Sequence, residues 1–161
     1  MIARLAAGFA LALGASACHR HATAEQQGGS ELRGIVSVAG TSFEQRLELQ
    51  GSPPRATPLL ATTADSAALI RLGGVEVVVR GEMETRGFRV ASFTAMSVSG
   101  APVVDGVVRV DGRVVALETR SGRVTLGNPP DALRQMAGAR VWVSGPVDRG
   151  PNSYGVIVPR R

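Results

Sequence analysis

One pattern occurs twice in this chain, and that repetition limits what it can fold into more than any other feature. The run Leu32-Arg33-Gly34-Ile35-Val36-Ser37-Val38-Ala39-Gly40 matches Val104-Asp105-Gly106-Val107-Val108-Arg109-Val110-Asp111-Gly112, with both glycines and both alternating valines coinciding. Further on, residues 69–81 align without a gap on residues 133–145. The intervals between the two matches differ by eight residues, which the loop at 51–58 absorbs. Duplication is the economical explanation, and chance matching of valine-rich strands is the alternative. Each copy is then only about 60–70 residues, a size that is marginal alone and favours packing of one copy on the other. Aromatic residues make up 4% of the chain and hydrophobic residues 44%, so the core must come from Val, Ala and Leu. With 20 glycines, that composition favours short strands and tight turns.

In the second copy, residues 103–110 alternate as a strand, Asp111-Gly112 is a two-residue hairpin turn, and 113–119 returns. Ser121-Gly122 turns again into a third strand at 123–127. Asn128-Pro129-Pro130-Asp131 then predicts a helix start with Asn128 as cap, and Gly138 predicts its left-handed stop. Strands at 139–145 and 154–159 follow. The first copy predicts strands at 32–39, 42–50 and 59–62, a short helix at 65–72, and strands at 75–82 and 88–98.

Three strands, a short helix and two strands is the order of the OB-fold. Gly34 and Gly106 lie inside the first strands, where a glycine permits a sharp bend. The region resembles the tandem small β-barrel repeats of secreted bacterial proteins. The resemblance implies a mainly β fold of two tandem five-stranded OB-like barrels, each with one short helix, at 32–98 and 102–161. The division falls at Ser99-Gly100-Ala101-Pro102, and the resemblance implies no activity.

The N-terminus has one charge at Arg4, an apolar run at 5–13 and small residues at 14–17, the order of a secretory signal. The run is too short to span a bilayer, which takes about 20 residues as a helix. Ala15-Ser16-Ala17-Cys18 resembles the lipobox of bacterial lipoproteins, departing from it in having Ala15 where Leu is commonest. That resemblance implies removal of residues 1–17 and acylation (diacylglyceryl and palmitate) of Cys18, which would anchor the chain to a membrane. An ordinary signal peptidase site with a free thiol is the alternative. His19 is not the Asp that retains lipoproteins in the inner membrane, so the implied location is the periplasmic side of the outer membrane where the cell has one. Residues 18–31 read as a flexible tether. His19 and His21 lie within it, too poorly supported by other ligands to form a metal site.

Lysine is absent, both histidines lie in the tether and the one cysteine is expected to be lipidated, so the usual bases and nucleophiles are missing apart from Ser, Thr, Tyr and carboxylates. Glu82 and Glu84 are the closest alternating carboxylate pair, and the plainer reading makes them solvated hairpin charges beside Arg80 and Arg86. No nucleotide fingerprint occurs. An enzyme, a metal and a cofactor are therefore not expected.

After removal of the signal, 17 arginines face 13 acids, and the excess lies from residue 102 onward, with nine arginines against five acids. OB-folds often bind oligonucleotides or oligosaccharides, but single-strand binding needs aromatic platforms that this chain lacks, so nucleic acid is not expected. Anionic lipid head groups or envelope polysaccharide suit the charge better, with dispersal for solubility as the alternative. Trp142 should face outward between Val141 and Val143, and its counterpart Val78 is also apolar. This predicts a covered surface, either an inter-barrel contact or a partner site, which Arg140 and Arg109 could flank. The expected function is a membrane-tethered, non-enzymatic envelope module that binds protein or glycan, with a structural spacer of an envelope complex as the alternative. Metabolic acyl labelling of the full chain is expected to disappear in Cys18→Ser, and label that persists in the variant would exclude lipidation at that position.

Overall fold

Period-two apolar spacing produces strands along most of the chain, and two short helices interrupt them. The computed structural model describes residues 29–41, 44–51 and 56–160. Cys18, the signal and most of the tether lie outside the described residues. The order is β1 (Ser30–Thr41), β2 (Glu44–Gln50), β3 (Ala56–Leu60), α1 (Thr63–Arg71), β4 (Val75–Glu84) and β5 (Gly87–Val98). It continues with β6 (Ala101–Asp111), β7 (Val114–Thr119), β8 (Gly122–Leu126), α2 (Asp131–Arg134), β9 (Arg140–Ser144) and β10 (Ser153–Val158). The protein is mainly β, with one large and mostly antiparallel sheet.

Pairing follows the same plan in both halves. β1 pairs β2 and β4, β2 pairs β3, and β4 pairs β5, all antiparallel. In the C-terminal half β6 pairs β7 and β9, β7 pairs β8, and β9 pairs β10, again antiparallel. A short parallel ladder, Leu59↔Phe88 and Leu60↔Arg89, joins β3 to β5 and returns the N-terminal circuit to its start. Among the described residues β8 and β10 have no such ladder. There the Gly127 N–H donates instead to Val147 O at 2.7 Å, in the β9–β10 connection.

The two first-strand glycines have a steric reason. β1 leaves β4 for β2 at Ile35, and β6 leaves β9 for β7 at Val107, one residue after Gly34 and Gly106 respectively. At that crossing a methyl on Gly106 would meet Glu118 O at 2.8 Å and Leu117 Cβ at 3.0 Å, and one on Gly34 would run into Gln50 O. The segments after the helices match as closely. Gly74 N–H donates to Val36 O and Gly138 N–H to Val108 O, at 2.8 and 2.9 Å, both glycines having positive φ.

Two apolar clusters fill the halves. One gathers Val36, Leu49, Leu69, Leu72, Val77, Val79 and Phe88 with their neighbours, and the other Val108, Val115, Leu117, Leu133, Val141 and Val143. Burying each such side chain contributes roughly 1.5–3 kcal/mol. Ile157 of β10 belongs to the first cluster although it lies in the C-terminal half, and Trp142 and Val103 pack against that cluster too.

One sequence-based expectation needs correction. Asn128 does not cap α2: Pro130 holds the cap position, without a side-chain hydrogen bond, and Asn128 is left-handed at φ 39°. Consecutive prolines keep the chain extended until Asp131, because a residue before proline is driven out of the helical region. The division at 99–102 is a tight hairpin: Ser99 and Gly100 (φ 48° and 79°) turn β5 directly into β6, pairing Ser97↔Pro102 and Val98↔Ala101. By contrast, Thr62 caps α1 as its residue type suggests, accepting from Asp65 N–H at 3.2 Å while its hydroxyl donates to the Asp65 carboxylate.

Gly34→Ala and Gly106→Ala are each expected to lower stability by about 1–3 kcal/mol through overpacking, read as a drop in the urea midpoint. Gly51→Ala, whose new methyl would touch, among the described residues, only Arg33 O at 3.4 Å, should leave the midpoint near wild type.

Candidate functional site

β6 and β9 pair with Asp105↔Trp142 and Val107↔Arg140. Alternation turns Val141 and Val143 into the C-terminal cluster and directs Arg140 and Trp142 outward, toward the N-terminal half. Arg140 donates from Nε and Nη2 to the two oxygens of Asp105 at 2.8 and 2.7 Å, and from Nη2 to Phe93 O at 2.7 Å. Its guanidinium lies 4.5 Å from the Phe93 ring centroid, within cation–π range. Asp105 also accepts from Ala95 N–H at 2.9 Å. The Asp105 side chain is 3% exposed and that of Arg140 25%, so the pair is largely withdrawn from water. An unpaired carboxylate at that depth would cost several kcal/mol. Here its oxygens are met by the guanidinium fork and a backbone donor.

The location of Asp105 explains these bonds. The β5–β6 ladder ends at Ser97↔Pro102, beyond which the strands part. The Asp105 carboxylate then takes up Ala95 N–H, a donor that continued pairing would otherwise have satisfied. The N-terminal half carries the same pair with its charges exchanged. Arg33 occupies the Asp105 position and Glu76 the Arg140 position, bonded at 2.8 and 3.1 Å. Ser97 Oγ donates to Glu76 at 2.7 Å, and these partners hold its carboxyl below the usual carboxylate range. That copy faces solvent, with the Arg33 side chain 61% exposed.

Trp142 and Arg140 thus lie at the seam between the halves. The Trp142 indole lies over Gly155, where a methyl would come within 2.5–2.7 Å of the ring. Arg109 does not join them. It is exposed on β6 and pairs with Glu118 of β7 at 2.6 Å. The structure therefore brings two of the three expected residues together at the seam and places the third farther along the outward face of β6. Asp105 is the member that the sequence reading missed, because an Asp-Gly step in a strand reads as a bend. The signal was available in the aligned copies, whose columns Arg33/Asp105 and Glu76/Arg140 exchange sign together.

Beside the seam lies a groove of about 550 Å³. Asp105, Val107 and Arg140 line it, with Thr94 of β5 on one side and Arg120 and Ser121 of the β7–β8 turn on the other. A second depression of about 490 Å³ shares Glu118, Thr119 and Arg120 with it and extends to Arg109 and Arg123. Glu118 stands opposite Arg123 in the β7–β8 register but bonds Arg109. Arg120 and Arg123 have no acidic partner among the described residues. A larger groove of about 710 Å³ lies in the N-terminal half, with Leu59 and Val90 in its floor and Arg46, Arg86 and Arg89 at its rim. Glu44 and Glu84 already neutralise Arg46 and Arg89 there.

Glu82 and Glu84 do not act together. Arg89 grips Glu84 through Nε and Nη2, one edge of its guanidinium, holding the carboxyl below the usual range and therefore ionised. Glu82 lines a different depression with Arg80 and Arg89. No group of three or more potential metal ligands occurs among the described residues. No protein-family model, curated protein or solved structure gives a significant match to the chain.

Asp105→Ala is expected to destabilise the protein by about 3 kcal/mol, the scale of breaking a buried pair. It should also red-shift the emission of Trp142, the one tryptophan. Exchanging the pair, Asp105→Arg with Arg140→Glu, copies the N-terminal arrangement and should recover only part of the loss, because Ala95 N–H and Phe93 O then lose their partners.

Proposed function

We propose that this protein is a non-catalytic binding module of the bacterial cell envelope, tethered to a membrane through lipid on Cys18. It presents two fused OB-like barrels to a glycan or protein. The barrel reading is supported by the shared pairing plan, by the partner switch after Gly34 and Gly106, and by a helix between the third and fourth strands of each half. The binding reading rests on one observation: an open groove at the seam whose buried charges are satisfied internally while Arg120 on its wall is not. A site with a preorganised floor and an available guanidinium can take an external acceptor without rearranging.

The structural-spacer reading draws on a different fact. Trp142, the apolar side chain best suited to a partner, is used against the N-terminal core. A photocrosslinker at Ser121 on the groove wall, installed in cells that make the protein, separates the two. Discrete adducts from Ser121, diminished in Cys18→Ser, are the expected result. Equal labelling from Ser121 and from Thr57, far along the sequence in β3, would favour the spacer.

A further inference from the structure

The register of the two halves allows their outward faces to be compared position by position. Arg109 corresponds to Ser37, Glu118 to Gln50 and Arg123 to Ala56, each counted from the residue at which the first strand changes partner. In the N-terminal half the first two form a neutral contact, Gln50 Nε2 donating to Ser37 Oγ at 3.3 Å. In the C-terminal half the same contact is the Arg109–Glu118 ion pair, with Arg123 added beside it and Arg120 in the following turn. At the matched positions the N-terminal copy thus carries a hydroxyl, an amide and a methyl, and the C-terminal copy two guanidinium groups and a carboxylate, with Arg120 close by. The fold does not require that charge, since the N-terminal half forms the same strands without it.

We propose that the outward face of β6, β7 and β8 binds an anionic polysaccharide, with Arg109, Arg120 and Arg123 taking its carboxylate or phosphate groups. This rests on the binding-module reading and names its ligand class. Guanidinium forks match both oxyanions, and the excess of positive charge draws a polyanion to this face. The two depressions that share Glu118, Thr119 and Arg120 form a continuous track across the three strands, suited to an extended chain. A bilayer plane would press on convex surface and leave arginines lining depressions short of its head groups. A protein partner would call for an aromatic or Arg-centred apolar anchor. Phe88, Phe93, Trp142 and Tyr154 are instead all engaged with the two cores. Among the described residues, stacking of bases or neutral sugars lacks a platform for the same reason.

The test is affinity electrophoresis of the full chain in gels containing polygalacturonate, dextran phosphate or neutral dextran, with flotation on phosphatidylglycerol vesicles in parallel. Retardation by one or both anionic glycans, and none by dextran, is the expected outcome, and the pair distinguishes carboxylate from phosphate recognition. Arg120→Gln with Arg123→Gln should weaken that binding about tenfold at about 0.15 M salt. Arg71→Gln with Arg160→Gln removes the same charge elsewhere and should change it less than about twofold. Both pairs are exposed, and unchanged melting curves would show that folding is intact. Equal loss in the two variants would reduce the effect to net charge and overturn the site. Stronger association with vesicles than with either glycan would overturn the ligand class. No retention by any glycan, with discrete adducts at Ser121, would reject the polysaccharide and leave the binding module standing. Absence of both would reject both.

Discussion

The fork of Arg140 around the Asp105 carboxylate is the contact on which the joined structure depends. Backbone pairing across the β5–β6 hairpin covers only two residue pairs before the strands separate. From that point side chains hold the halves in register: Asp105 binds the β5 backbone at Ala95 N–H, and Arg140 binds it at Phe93 O. With those two anchors fixed, β9 is oriented so that Trp142 lies over the N-terminal core. The same two residues form the floor of the seam groove. A buried pair of this kind contributes specificity of arrangement more than net stability, since desolvation offsets much of the attraction.

Duplication supplied the materials and divergence supplied the differences. The cross-strand pair at the first-strand bend exists in both halves with opposite polarity, solvated in one and buried at the seam in the other. The outward contact two residues later on the first strand is amide to hydroxyl in one half and guanidinium to carboxylate in the other. Neither difference disturbs a strand, because both occupy outward positions where alternation places no demand for apolar side chains. The positive charge that the composition assigns to the C-terminal half is therefore a local property of its surface.

Much of the fold could be read from spacing alone. Glycine inside a valine strand marked the two partner switches, and the aligned segments 69–81 and 133–145 located both helix stops and the strands after them. Local signals failed where tertiary context prevailed. Asn128 had the chemistry of a cap but stood before two prolines. Trp142 was legible as an outward residue on a covered face. Which surface covered it was not, because that depends on the Asp105–Arg140 pair, whose backbone partners, Ala95 N–H for Asp105 and Phe93 O for Arg140, lie on the other side of the hairpin. Arg109 was grouped with Arg140 by sequence and separated from it by register, one on the open face and one at the seam.

Ile157 carries a consequence for the order of events in folding. Tyr154 and Val156 of β10 pack with the C-terminal cluster, while Ile157 between Val156 and Val158 is fully buried in the N-terminal one, where β10 also contacts α1. A chain that emerges N-terminus first therefore holds an incomplete first core until β10 arrives, and the contact that completes it spans most of the sequence. Such long-range closure slows folding and leaves apolar surface waiting. The half that is made first is thus finished last, and its core is not kinetically secure until the second copy is present.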